Sequence, residues 1–87
     1  MIITLSNVIR QTITKIESTH SHSQLIDLFK DLLIIINDNF PQYDYQSNEY
    51  RSIKRLIRKV EFNRHSHYQD YDQLKREIIT QLVQMTS

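Results

Sequence analysis

His20-Ser21-His22 and His65-Ser66-His67 repeat one tripeptide at two places in the chain. In an extended loop, residues two apart face the same side, which is the spacing at which two imidazoles reach one metal ion. Four neutral imidazoles gathered at one point would form an all-nitrogen zinc site, although the common structural sets contain cysteine. A lone loop histidine does something simpler: it meets water and titrates near neutrality. The expectation adopted is therefore no metal and no cofactor, with His20, His22, His65 and His67 as the residues that would hold a metal if the loops converged.

The strongest charge signal is a basic run. Residues 51 to 59 contain Arg51, Lys54, Arg55, Arg58 and Lys59, and no acidic side chain. Arg51 with Arg55, and Lys54 with Arg58, are like-charge pairs at four-residue spacing, which weaken an isolated helix slightly. Such a face suits an acidic protein, a phosphate backbone or acidic lipid headgroups, unless acids on neighbouring helices (Asp27, Asp31 or Glu77) neutralise it. Tyr43 and Tyr45 lie in a long loop beside Phe40. There they either anchor a partner or fold back over the end of the molecule. Arg58 and His65 fit the Arg-x(4–6)-His spacing of a family of helical ribonucleases, a short pattern that carries little weight. No acidic pair or activated serine is visible, so no enzyme is expected.

Composition narrows the remainder. The chain has 87 residues, 39% of them hydrophobic, which allows one domain over residues 1–87. It has no cysteine and no glycine. The first excludes a disulfide framework and thiolate chemistry, and the second excludes the glycine-rich loops that cradle phosphates. Tight hairpins also favour glycine, so a β-protein is disfavoured. The net charge is +1, too small to draw the whole chain toward a polyanion. The longest apolar run, Leu32 to Ile36, is far below the roughly 18 residues of a membrane span. No leader is visible at the start, and the expected location is the cytosol.

Four amphipathic segments must position these residues. Ile2, Leu5, Val8, Ile9, Thr12, Ile13 and Ile16 recur at helical spacing. After a polar connector, with Ser21 or Ser23 as the cap, Leu25 to Ile36 form a wide apolar arc, expected to be the most buried helix. Asn37, Asp38 and Asn39 are expected to stop that helix before Pro41. A third stripe, Tyr50, Ile53, Leu56, Ile57 and Val60, starts at Ser47 or Asn48, and Asn63 to Tyr68 read as a second connector. Asp70, with Gln73 three residues on, caps a fourth stripe of Tyr71, Leu74, Ile78, Leu82 and Met85. Four such stripes with short connectors predict an all-α, antiparallel up-down-up-down four-helix bundle.

Helix Gln24 to Ile36, the Pro41-containing loop, and Arg55-Leu56-Ile57 before a polar connector and a last helix together carry a resemblance. Over about residues 20 to 85 the chain resembles the immunity proteins of pediocin-like (class IIa) bacteriocins, the enterocin A immunity type. The resemblance implies a cytosolic four-helix bundle that protects the producer cell. It does so by binding a membrane sugar-transporter receptor once the bacteriocin has engaged it, with peripheral contact at the inner membrane face. Arg51, Lys54, Arg55, Arg58, Lys59, Tyr43 and Tyr45 are the expected contact residues. The alternative is a small nucleic-acid-associated or phage-encoded regulatory protein that uses the same basic face.

Overall fold

Each helix of this chain begins where a short polar side chain can accept the free N–H groups of a first turn. In the computed structural model, which describes residues 4–44 and 46–86, Thr4 caps α1 (Leu5–Glu17) by accepting from the Asn7 N–H at 3.2 Å. Ser21 caps α2 (His22–Asn39) through the Gln24 N–H, and Ser47 caps α3 (Asn48–Ser66) through the Tyr50 N–H. The Asp70 carboxylate accepts from the Gln73 N–H at 2.7 Å at the start of α4 (Tyr71–Thr86). Ile2 and Tyr45 lie outside the described residues, so the first turn expected around Ile2 and the contact role expected of Tyr45 have no structural account.

Two helix ends differ from expectation. Asn37, Asp38 and Asn39 do not stop α2, which runs on through Asn39. The Asn39 side chain donates back to the Ile35 carbonyl at 3.0 Å instead of leaving the helix, and the Phe40 N–H still reaches the Ile36 carbonyl at 2.9 Å. Termination waits for Pro41, which has no N–H to continue the ladder. Residues 63 to 66 are likewise helical rather than a connector. Helix α3 ends at His67, whose φ of 52° places it in the left-handed region, with its N–H on the Asn63 carbonyl at 2.9 Å. A chain without glycine must put an ordinary residue in that terminating position.

Among the described residues there are four helices and no strand. Each helix packs on its chain neighbours, and α1 closes the ring against α4. Directions follow from cross-chain bonds. The Lys75 ammonium at the start of α4 bonds the Glu17 carbonyl at the end of α1, and His22 at the start of α2 meets Asn63 near the end of α3. The four rods therefore run up, down, up and down, and both polar connectors sit at one end of the bundle.

One core fills the centre. Ile9 and Ile16, Leu25 and Phe29, Ile53 and Val60, and Leu74, Ile78 and Leu82 are fully buried. Removing such side chains from water at about 25 cal/mol per Å² is the main driving force for assembly. The apolar arc of α2 is wider than its buried stripe: Leu28, Leu33 and Ile35 are half-buried and Ile34 faces out, and with five buried residues of 18 against five of 13 in α1, α2 is not the most enclosed helix. Phe40 closes the far end of the core, edge-on to Tyr43 at 6.4 Å.

Candidate functional site

The connector end carries a polar network to which all four helices contribute. The Tyr71 hydroxyl donates toward Thr19 Oγ1 at 2.7 Å, with the Ser21 carbonyl at 3.0 Å. Thr19 passes its own proton to the Ile16 carbonyl at 2.7 Å. Lys75 places its ammonium on the Glu17 and Thr19 carbonyls at 3.0 and 3.1 Å, a cation at the negative end of α1. Burial raises the Tyr71 phenol above its usual range, and the bonds to Thr19 and Ser21 only offset part of this. On the α3 side, Asn63 is 3% exposed and spends every polar atom of its side chain: Oδ1 accepts from the Gln69 N–H at 2.9 Å, and Nδ2 faces His22 Nε2 at 3.0 Å. No described buried side-chain nitrogen or oxygen lacks a partner.

The four histidines do not converge. His22 alone turns inward, where its ring meets the Tyr71 ring edge-on at 5.3 Å, whereas His20, His65 and His67 are exposed. The physical reason is that α3 stays helical through Ser66. Residues two apart on a helix point about 200° apart instead of to one side. Among the described residues, no group of three His, Asp or Glu side chains is placed to hold a metal ion. Arg58 and His65 sit on the outer side of one helix, separated by about 10.5 Å of rise.

The basic run fares differently. Its core-facing partners Ile53, Leu56 and Val60 are buried, which turns Arg51, Lys54, Arg55 and Arg58 outward. These four line a shallow groove of about 260 Å³. Among the described residues none of them has a carboxylate partner, and Lys54 lies over the Tyr50 ring at 5.6 Å. Lys59 departs from the expected set. It reaches across to α4 and pairs with Glu77 at 2.7 Å, so its charge is neutralised. Glu77 also accepts from Gln69 Nε2 at 3.1 Å, and the bonds from Lys59 and Gln69 hold its carboxyl below the usual range. Asp27 and Asp31 line a cleft with Lys15, between α1 and α2, and leave the α3 face alone.

Tyr43 folds back against the core and Phe40 and is partly buried, the second of the two placements expected of the loop aromatics. The exposed aromatics are elsewhere. Phe62 is 63% and Tyr68 is 78% exposed, with ring centroids 6.4 Å apart. Sequence reasoning passed over Phe62, although its place four residues after Arg58 on the same helix was a sufficient signal. No family model, curated protein or solved structure matches this chain.

Proposed function

We propose that this chain is a non-catalytic immunity protein that acts by surface contact. It protects a bacteriocin producer by engaging the bacteriocin–receptor complex from the cytosolic side, with the outer face of α3 as the contact. The observation that carries this reading is the groove of Arg51, Lys54, Arg55 and Arg58, four outward cations without a carboxylate partner. A small bundle that leaves four like charges unneutralised on one helix forgoes stability there. An anionic partner recovers it. The resemblance of helix Gln24 to Ile36, the Pro41 loop and Arg55-Leu56-Ile57 to pediocin-like immunity proteins supplies the biological setting. No described helix is long and apolar enough to cross a membrane, so the contact would be peripheral.

The test is protection. Expression in a strain sensitive to pediocin-like peptides should raise survival against at least one peptide of a panel, and R51E/R55E/R58E should abolish the protection while the helical circular dichroism persists. Unchanged killing by every peptide would remove the reading. The second reading is a regulatory protein that binds nucleic acid through the same four cations, for which affinity would fall steeply with salt.

A further inference from the structure

Helix α3 turns by about 100° per residue, so its outward residues can be placed on a wheel. Arg51, Arg58 and Phe62 fall within about 20° of one line, Arg55 and His65 within about 40° of it, and Lys54 at about 60°. All six are exposed. The buried stripe of Ile53, Leu56 and Val60 lies on the opposite side. The line from Arg51 to Phe62 spans about 16.5 Å of straight helix. Tyr68, just past the left-handed His67, leans its ring against Phe62 at 6.4 Å and 55°. Cations therefore pass directly into an aromatic pair along one convex ridge. The nearest acid on α3, Glu61, projects to the flank at about 80° from the line, and Glu77 on α4 is occupied by Lys59 and Gln69.

We propose that this ridge, Arg51, Lys54, Arg55, Arg58 and Phe62 together with Tyr68, is a docking surface for an anionic lipid bilayer. The inference rests on the reading of α3 as the contact face and adds to it the bilayer in which the receptor complex is embedded. Three observations favour a bilayer over a nucleic acid. The straight ridge of one helix presents its four cations and the aromatic pair to a plane at once, whereas a single strand is held by aromatic faces set along a basic groove so that successive bases stack on them. The groove between the four cations, about 260 Å³, is shallow and open to solvent, and its size suits a single phosphate-bearing headgroup presented by a surface. Phe62 and Tyr68 lean on each other at an angle and leave no parallel slot for a base. A phenyl ring beside a phenol is instead the combination that settles at the headgroup level, with its ring in the apolar boundary and its hydroxyl in water. The low net charge is no obstacle, because a plane senses only the face within a Debye length of it.

The full chain should float with vesicles of phosphatidylcholine and phosphatidylglycerol at 7:3 and remain behind with phosphatidylcholine alone. Each cation near such a surface strengthens partition roughly fivefold, so R51Q/R55Q/R58Q should weaken it by roughly a hundredfold. F62S/Y68S, at two exposed positions where folding is not at stake, should weaken it by roughly tenfold. Absence of flotation with anionic vesicles in low salt overturns the proposal. So does binding that F62S/Y68S leaves unchanged, since that would be diffuse charge attraction. Tighter binding to a 30-mer RNA or DNA than to these vesicles, in the same buffer, assigns the ridge to nucleic acid and also overturns it. Flotation of a wild-type protein that gives no protection supports the docking and removes the immunity reading, and protection by a wild-type protein that does not float with anionic vesicles supports the immunity reading and overturns the docking.

Discussion

Asn63 Nδ2 lies 3.0 Å from His22 Nε2, joining the end of α3 to the start of α2 across 41 residues of chain. The direction of this bond is fixed by its other end. Asn63 Oδ1 accepts from the Gln69 N–H, so Nδ2 must donate, and His22 Nε2 must be the acceptor of a neutral imidazole that carries its proton on Nδ1. A proton on Nε2 would set two donors against each other. Burial depresses the basicity of His22, and the charges of Arg64 and His67 lower it further. The groups facing His22 from α3 and α4 are thus cations and the Tyr71 ring, with no carboxylate among the causes of the shift.

Stability should follow from that depressed basicity. Below the ordinary imidazole value of 6.5 the unfolded chain takes up a proton that the folded chain resists. The His22 contribution is complete above that pH and is lost as pH falls from it through the lowered folded value. The melting temperature should therefore drop between pH 7 and 5, and His22→Gln, whose amide oxygen can still accept from Asn63, should flatten the drop. Glu77 acts in a separate window. Its carboxyl is held below its ordinary value of 4.5, so its contribution is present above that pH and fades only in more acid solution. A wild-type melting curve independent of pH from 7 to 5 would contradict the neutral, donor-facing His22.

The same bond gives a reversal experiment. In Asn63→Asp the atom facing His22 becomes a carboxylate oxygen, which attracts an imidazolium and raises the His22 value above 6.5. The contribution of His22 would then be present below 6.5 and lost as pH rises through the raised value, the opposite sign to the wild type. The NMR titration of the His22 ring should move upward. Asn63→Ala, by contrast, strands the Gln69 N–H and opens a small void, and should cost about 3 kcal/mol at any pH. The measurement is a urea midpoint at two pH values.

The bundle was legible from its stripes because apolar side chains at three- and four-residue spacing have few other ways to leave water. The caps Ser21, Ser47 and Asp70 were legible for an equally local reason: each needs only its own side chain and the N–H of a residue close behind it. Asn63 was not. It continues the buried line of Ile53, Leu56 and Val60 at the right spacing, but a polar residue reads as the end of a stripe unless its partners are known, and His22 lies 41 residues away. Glu77 was legible as one of three acids able to neutralise the basic face, but that it would pair with Lys59 alone was not, since only the packing of α3 on α4 brings the two together. Phe62 escaped notice because it belongs to the outer face, where stripe reasoning does not look for aromatics.

His67 offers a gain in stability. A non-glycine residue in the left-handed region crowds its Cβ against the following carbonyl, at about 1 to 2 kcal/mol. Glycine removes that penalty but adds freedom to the unfolded chain, which offsets part of the gain. His67→Gly should therefore raise stability by roughly 0.5 to 1 kcal/mol, read as a higher urea midpoint with an unchanged slope. A lower midpoint would mean that the exposed imidazole holds the turn by a contact worth more than the backbone strain.

At the opposite end, Phe40 tests whether the Pro41 loop is a lid or a binding element. Its ring is buried against the core and edge-on to Tyr43, although its backbone already sits outside α2. Phe40→Ala should cost about 3 to 4 kcal/mol, as expected for an aromatic removed from a close-packed site. For a domain of this size that is a large share of the total, roughly 4 to 13 kcal/mol at 0.05 to 0.15 per residue. Tyr43→Ala should cost less, about 1 to 2 kcal/mol, because its side chain is only partly buried. If the loop only closes the core, both variants should melt earlier, and F40A the more so, while flotation with anionic vesicles below the melting point stays at the wild-type level. Loss of vesicle binding in a folded Y43A protein would instead make the loop part of the contact surface and extend it beyond α3.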